Sequence, residues 1–454
     1  MIKEIVNFFT GKKIAILGFG LEGKSTYNFI RKYLPEIQLD VLDKCIKNQH
    51  DFEEDRFLSF VSGEGYLENL EEYDIIMKTP GISFKGMDIS RFEKKIYSQL
   101  ELFLMYTDSF TIGVTGTKGK STICSLTYEM LISQNKKAEL LGNIGLPIFD
   151  QIENINSDTI VVLEMSSHGL QYTDKSPNIA ILLNIFEEHL DHYESFEEYG
   201  DIKYNIFRFQ KKDDVAIFNL ENEEMIKKNY KHRENDYGIT ISNFDNKNTN
   251  NTVYKKGDYI YFNGKKIYSV NDERRLKGDH NLNDIMFVLA VSNILNLDLS
   301  KTVDTINNFN PLEHRLEYVG TVNGVDYYND SIATIPEATI ESIKALECVN
   351  TIIVGGNDRG VNQEGLINFL KESNVENVLC LPKTGEYIYS GLVDSDKNVF
   401  MVNTMEEAVR TAKRVTKLGM ICVLSPAASS YGFFKNFKER GRIYKEMVLD
   451  NKIC

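Results

Sequence analysis

The chain has 454 residues, long enough for about three domains of ~150 residues each. Its composition, 42% hydrophobic and 26% charged, is that of a soluble globular protein, and no apolar run approaches the ~18 residues that a membrane span needs. Asp plus Glu number 66 against 52 Lys plus Arg, a formal charge of -14 with no basic arm, which argues against a nucleic-acid partner.

The apolar patch at residues 5–9 is too short for a secretory signal, so a cytoplasmic location is expected. Cys45, Cys124, Cys348, Cys380, Cys422 and Cys454 show no paired spacing, which points to reduced, structural thiols and away from a zinc site. Residues 12–18 read as a buried parallel strand ending in glycine, followed by an amphipathic stretch to about Tyr33 and a second strand at 38–43. Gly18, Gly20 and Gly23, with Asp43 about 20 residues on, have the pattern of a nucleotide-binding loop. A nicotinamide-dependent dehydrogenase and a nucleotide-linked substrate are both compatible with that pattern alone. A strand at 73–78 and the turn Thr79-Pro-Gly81 add a further unit, and the first domain is expected to end near residue 98.

A second series opens with a strand at 110–114. The segment Gly113-Val-Thr-Gly-Thr-Lys-Gly-Lys-Ser-Thr122 leaves that strand and opens a helix, so that backbone N–H groups and the helix dipole converge on an anion. Gly116 and Gly119 permit tight wrapping, Lys120 supplies a cation for the β/γ-phosphates and Ser121 a hydroxyl for Mg²⁺, while Val114 stands at the first glycine of the usual phosphate-loop pattern. This is an ATP site, and it shifts the first-domain loop toward a nucleotide-linked substrate. Further strands at 159–163 and 179–183 end in candidate metal ligands, Glu164 after the first and His189 in the segment 184–192 after the second. Residues 221 to about 270 read as a small antiparallel excursion without chemistry, its strands near 253–254, 259–262 and 267–268.

A third series runs from about Pro311: a hairpin at 322–325 leads into 326–330, and strands follow at 351–356, 375–381 and 420–424. The expected fold is α/β with three domains at 1–98, 99–311 and 312–454, each a mostly parallel Rossmann-like sheet with helices on both faces, the central one resembling a P-loop ATPase.

Taken together, Thr-Gly-Thr-Lys-Gly-Lys-Ser-Thr at 115–122, Gly142-Asn143-Ile-Gly145, Leu163-Glu-Met-Ser-Ser167, the segment 184–192, His280-Asn281, His314-Arg315, Asn329-Asp-Ser331, Ser425-Pro-Ala and Phe434-Lys-Asn-Phe-Lys-Glu-Arg-Gly441 resemble the Mur ligases. These ATP-dependent enzymes add amino acids to UDP-N-acetylmuramic acid in peptidoglycan synthesis, and the likeness is greatest to the branch that adds glutamate. The resemblance implies a monomer that phosphorylates UDP-N-acetylmuramoyl-L-alanine on its carboxylate and joins the acyl phosphate to glutamate. It implies a nucleotide-sugar site of Gly18, Gly20, Leu21, Glu22, Gly23, Asp43, Lys44, Thr79, Gly81, Asn143, Ser166 and His189. ATP would meet Gly116, Thr117, Lys118, Gly119, Lys120, Ser121, Thr122, Asn281, Arg315 and Asp330. Two Mg²⁺ ions would be held by Ser121, Glu164, His189 and a carbamylated Lys203, so that Lys120, Glu164, His189 and Lys203 carry the catalysis. Thr334, Arg359, Ser425 and Phe434 would grip glutamate.

The pattern departs at Ile332 and Arg359, where lysine is usual, at His168-Gly169, which replaces an aromatic-Gln pair, and at Asp284, where asparagine is frequent. The handedness of the glutamate is thereby left open. A folylpolyglutamate synthase-like ligase fits less well, because its loop typically reads Gly-Lys-Gly-Ser.

Overall fold

The computed structural model describes residues 1–46, 52, 54–142, 147–186, 192–220, 239–242, 251–276, 278–310, 313–346, 348–358, 361–430 and 432–450, with the side chains of His280 and Glu337 excepted. Short apolar runs buried on both faces form parallel strands. The first sheet comprises β1 (Ile14–Leu17), β2 (Leu39–Asp43), β3 (Leu58–Ser62), β4 (Ile75–Lys78) and β5 (Ile96–Tyr97), in the order β3-β2-β1-β4-β5 and parallel throughout.

The second sheet has nine strands: β6 (Phe110–Thr115), β7 (Ala138–Gly142), β8 (Ile160–Glu164), β9 (Ile179–Leu182), β10 (Val215–Asn219), β11 (Ile239–Ser242), β12 (Thr252–Lys256), β13 (Tyr259–Phe262) and β14 (Lys265–Ser269). Their order is β14-β13-β12-β11-β10-β9-β6-β8-β7. Register sets Val114 of β6 and Gly142 of β7 on either side of Glu164 in β8, and Thr115 opposite Leu182 of β9. Four carboxyl-terminal strand ends thus meet along one edge, where α/β sheets bind ligands.

The third sheet holds β15 (Glu317–Val322), β16 (Val325–Asn329), β17 (Val349–Gly356), β18 (Asn377–Lys383), β19 (Asn398–Met401) and β20 (Ile421–Leu424), ordered β15-β16-β20-β17-β18-β19. Only β15 is antiparallel to its neighbour, joined to β16 through Asn323 and Gly324, both at positive φ as a tight hairpin turn requires. The molecule is therefore α/β with three mostly parallel sheets. It divides into two compact units, Met1–Asp272 with Asn283–Ile306, and Glu273–Leu282 with Asn307–Cys454. Among the described residues no helix is long and apolar enough to cross a membrane.

The excursion at 221–270 differs from its expectation in one respect. Strands β12 to β14 form the expected antiparallel meander, but β10, β11 and β12 pair in parallel and join it to the main sheet. Residues 221–238 and 243–250 of this stretch lie outside the described residues.

Within the first unit the first and second sheets share a hydrophobic core, in which Phe29 packs at a tilt against Phe149 with ring centroids 4.5 Å apart. Helix Gln99–Tyr106 links them. Ser98 caps it by accepting from the Glu101 N–H, and the Gln99 side chain reaches back to the Glu22 carbonyl and Thr26 hydroxyl and forward to the Phe149 N–H.

Candidate active site

The loop after β6 enters helix Lys120–Ser133 through Gly119 at φ 89°. That helix has no side-chain N-cap, so its first-turn N–H groups are left to an incoming anion. A side chain on Gly116 would come within 2.8 Å of Leu183, and one on Gly119 within 2.9 Å of the Asp284 carboxylate. Glycine is therefore required at both positions for packing as well as conformation.

Asn184, the second residue after β9, anchors the loop tip. Its Oδ1 accepts from the N–H groups of Thr117 (3.1 Å) and Lys118 (2.9 Å), and its Nδ2 donates to the Lys118 carbonyl (3.1 Å). The Thr117 hydroxyl accepts from the Phe186 N–H (2.9 Å) and lies 3.1 Å from the Tyr199 hydroxyl.

Three charged side chains gather here. Lys120 folds onto its own loop, donating to the carbonyls of Gly116 (2.7 Å) and Thr117 (3.0 Å). Lys203, at the last turn of helix Phe196–Lys203, is 2% exposed, donates to the same Gly116 carbonyl at 3.0 Å and lies 4.7 Å from the Tyr199 ring centroid. The Glu164 carboxylate is buried at the end of β8; at Cys124, whose thiol burial pushes up, Glu164 adds to that rise and Lys120 opposes it. Two lysines on one phosphate-type loop, with an acid at the end of the neighbouring strand, form a site that can gather polyanionic substrates. Ser121 and Thr122 lie in the same first helical turn. His189 and Asn143, expected beside them, lie outside the described residues.

In the first sheet the glycine-rich loop has a steric origin. A side chain on Gly18 would strike the Thr79 hydroxyl, and one on Gly23 the Gly18 carbonyl, whereas Gly20 and Gly81 have open space. Asp43 accepts from the Phe19 N–H at 2.7 Å and the Cys45 N–H at 3.1 Å, so it braces the loop from below. Leu21 and Lys44 are exposed. Glu22 is partly buried, its carboxyl pushed up to about 7 by burial against the pull of Lys78. Ser166 is the N-cap of the short helix Ser167–Leu170, accepting from Gly169 N–H at 3.1 Å. His168 packs edge-on against His192, ring centroids 4.2 Å apart, so the replaced aromatic still sits in an aromatic stack.

In the second unit, Arg315 stands between two residues at positive φ, His314 (67°) and Leu316 (43°), a strained turn of the kind found at functional sites. Asp330 holds that turn: it accepts from the Leu316 N–H at 3.2 Å and from the hydroxyls of Ser342 and Ser425. Burial raises its carboxyl to about 6, opposed by those bonds and by Arg315. Ser425 is thus fully buried beneath the turn, and Phe434 packs against the core. Thr334 is half-buried, Asn281 buried, and Arg359 lies outside the described residues.

Arg440, which lies in the string 434–441 but was given no role of its own, is fully buried and donates to the Ser331 hydroxyl and carbonyl and the Ala428 carbonyl at 2.8 to 3.0 Å. Asn184 was assigned no role either, although its place directly behind an apolar strand was a signal. A cluster of Glu313, His314 and Glu317 has ligand atoms within 4.8 Å of one another, and Lys445 already bonds both carboxylates at 2.7 Å. The ammonium takes the place a cation would have.

Comparison with known proteins bears on the whole chain. Residues 114–292 match the Mur ligase middle domain and residues 314–428 the Mur ligase glutamate ligase domain. The UDP-N-acetylmuramoylalanine--D-glutamate ligase of Clostridium kluyveri is 31% identical over 98% of both chains, and that of Clostridium acetobutylicum 33% identical over 98% of both. The solved MurF ligase of Thermotoga maritima in complex with ADP shares the fold, with TM-score 0.61 over 96% of this chain and 93% of its own at 15% identity. The chain belongs to the Mur ligase family, alongside the UDP-N-acetylmuramoylalanine--D-glutamate ligases.

Proposed function

We propose that this chain is an ATP-dependent ligase that joins D-glutamate to UDP-N-acetylmuramoyl-L-alanine through an acyl phosphate, in peptidoglycan precursor synthesis. The observation that carries the reading is that Lys120 and Lys203 both reach the Gly116 carbonyl of the loop before an uncapped helix, with Glu164 buried at the end of the adjoining strand. Near-full-length similarity to D-glutamate ligases supports the choice of amino acid.

We further propose three domains, a Rossmann-like nucleotide-sugar domain at 1–98, a P-loop ATP domain at 99–311 and a glutamate domain at 312–454. The order β3-β2-β1-β4-β5 supports the first assignment and the loop after β6 the second. A cytoplasmic monomer acting on small molecules is the proposed setting.

In the first step a carboxylate oxygen of the muramoyl-alanine attacks the γ-phosphorus of ATP and ADP leaves. In the second the glutamate amine attacks the carbonyl carbon, phosphate departs and the amine loses a proton. Both partners of the first step are anions, so the barrier is mainly electrostatic. Lys120, on leaving the Gly116 and Thr117 carbonyls, would reach the phosphates, and the first-turn N–H groups would hold them. Arg315, braced by Asp330, is proposed to contact the nucleotide, while Thr334, Arg359, Ser425 and Phe434 mark the region for glutamate.

The Ser121 hydroxyl and the buried Glu164 carboxylate are oxygen donors of the kind Mg²⁺ takes, with His189 a further candidate. Mg²⁺ held there would neutralise charge between carboxylate and phosphate. A carbamylated Lys203 would add an anionic oxygen ligand. The acyl phosphate is tested by ¹⁸O in the substrate carboxylate: transfer of label to inorganic phosphate is expected, and unlabelled phosphate would refute the intermediate.

A further inference from the structure

Taking a guanidinium out of water is costly, and the cost is ordinarily offset by a carboxylate that bonds it. Arg440 is fully buried, yet among the described residues no carboxylate bonds it. Its hydrogen bonds go to two loops instead: Nε donates to the Ser331 hydroxyl at 3.0 Å, Nη2 to the Ser331 carbonyl at 2.8 Å and Nη1 to the Ala428 carbonyl at 3.0 Å. Ser331 lies just beyond the end of β16 and Ala428 just beyond the end of β20, strands that are neighbours with Asn329 opposite Leu424. One planar fork therefore ties the two loops together.

The surroundings are shaped to that fork. Ala427 holds φ at 52°, a left-handed conformation that a residue other than glycine keeps only where its neighbours enforce it, and the Gln363 side chain donates to its carbonyl at 3.2 Å. At the end of β17 a side chain on Gly356 would come within 2.5 Å of the Ser429 carbonyl and 3.2 Å of Arg440 Nη1, so this strand end stays bare beside the guanidinium. The helix that carries Arg440, Phe437–Leu449, is fixed at its start: Asn436 caps it by accepting from the Glu439 N–H at 3.0 Å, and the Phe437 carbonyl accepts from the Ser331 hydroxyl at 2.8 Å. Asp330, the opposite charge bearing on Arg440, accepts from Leu316, Ser342 and Ser425, which leaves the guanidinium to the two loops.

We propose that Arg440 is a positioning residue for the incoming amino acid: its fork sets segments 331–334 and 425–430 at the spacing that glutamate binding requires. Being fully buried, it touches no substrate itself. The proposal rests on the glutamate reading of the third sheet, which includes Thr334 and Ser425, and adds to it the group that fixes those two walls. Loss of the fork should weaken the use of glutamate and spare the formation of the acyl phosphate, which needs none.

The test separates the two chemical steps in the full chain. Hydroxylamine replaces glutamate: its nitrogen attacks the carbonyl carbon of the acyl phosphate, phosphate leaves, the nitrogen loses a proton and a hydroxamate forms. Arg440→Met is expected to raise the KM for D-glutamate by about tenfold or more, while hydroxamate formation and the KM for UDP-N-acetylmuramoyl-L-alanine stay within about twofold of the wild type. Arg440→Lys keeps the charge but cannot span both loops, and should fall between the two. Ser331→Ala removes one acceptor, leaves the cation and should raise the glutamate KM by roughly a few-fold. A simple loss of folded protein lowers kcat in both reactions together and leaves every KM in place; that pattern in the three variants, or an unchanged glutamate KM, overturns the proposal. A wild type that forms hydroxamate but no glutamyl product overturns the glutamate reading and the proposal with it, and one that forms neither overturns the ligase reading.

Discussion

Lys203 is surrounded as no surface lysine is, 2% exposed with its nitrogen on the Gly116 carbonyl and over the Tyr199 ring. A buried amine next to a phosphate loop can accept CO₂ and become an anion that a metal binds. Lys203→Ala is expected to lose turnover by at least about a hundredfold and to recover part of it with small carboxylic acids. ¹³C-bicarbonate should give a carbamate signal in the wild type that the variant lacks; full activity in the variant would refute the role. Glu101 makes a separate prediction. It is 5% exposed, its Oε2 has no hydrogen-bond partner among the described residues, and burial, with Asp174 adding to it, raises its carboxyl to about 8. An acid raised in the fold contributes stability that is present below its unfolded value near 4.5 and is lost as pH rises through about 8. Glu101→Gln should therefore melt higher than the wild type at pH 9, by on the order of 3 kcal/mol of stability, and the gain should vanish toward pH 5. A gain independent of pH would contradict the assignment. From local sequence alone Lys203 reads as a solvated helix lysine, because the carbonyl it bonds belongs to Gly116, 87 residues away. Lys120 and Ser121 stood out because strand, loop and helix sit in one local string, and Glu164 because it ends an apolar strand.

Asn184 illustrates what an element's end can do. Its side chain closes three hydrogen bonds around the loop tip, so the loop is shaped before nucleotide arrives. Asn184→Ala should raise the KM for ATP by about tenfold or more, with a much smaller change in the KM for the UDP substrate. Equal effects on both would show a general loss of folding instead. Asn184→Asp retains the two acceptor contacts and should recover much of the loss. Among the elements, central strands β1, β6, β8, β9, β17 and β20 were readable as apolar runs, and the β15–β16 hairpin from its Asn323-Gly324 turn. Strands β3, β5, β7, β10, β11 and β19 escaped. Three of the five residues of β3 are exposed, and an edge strand that faces water has no continuous apolar run to announce it. The parallel pairing of β10 to β12 was equally hidden, since register to a distant strand leaves no mark in local sequence.

At the scale of the molecule, the proposed nucleotide-sugar, ATP and amino-acid functions fall to three successive sheets, and a charge of -14 sits on a protein whose proposed substrates are themselves anions. The local cations Lys120 and Lys203 must therefore overcome an unfavourable background, which predicts a KM for ATP that rises with salt. The α/β class and the three sheets were legible from alternating strands and helices, whereas Ile332 and Arg359 left the handedness of glutamate undecided from sequence. Similarity to D-glutamate ligases over 98% of the chain now favours the D form. The decisive measurement is phosphate release by the purified chain with ATP, Mg²⁺ and UDP-N-acetylmuramoyl-L-alanine, comparing D-glutamate, L-glutamate and no amino acid, with the product identified by mass. Turnover that requires D-glutamate and yields the glutamyl-extended UDP product is predicted; no turnover with either enantiomer would contradict the ligase account.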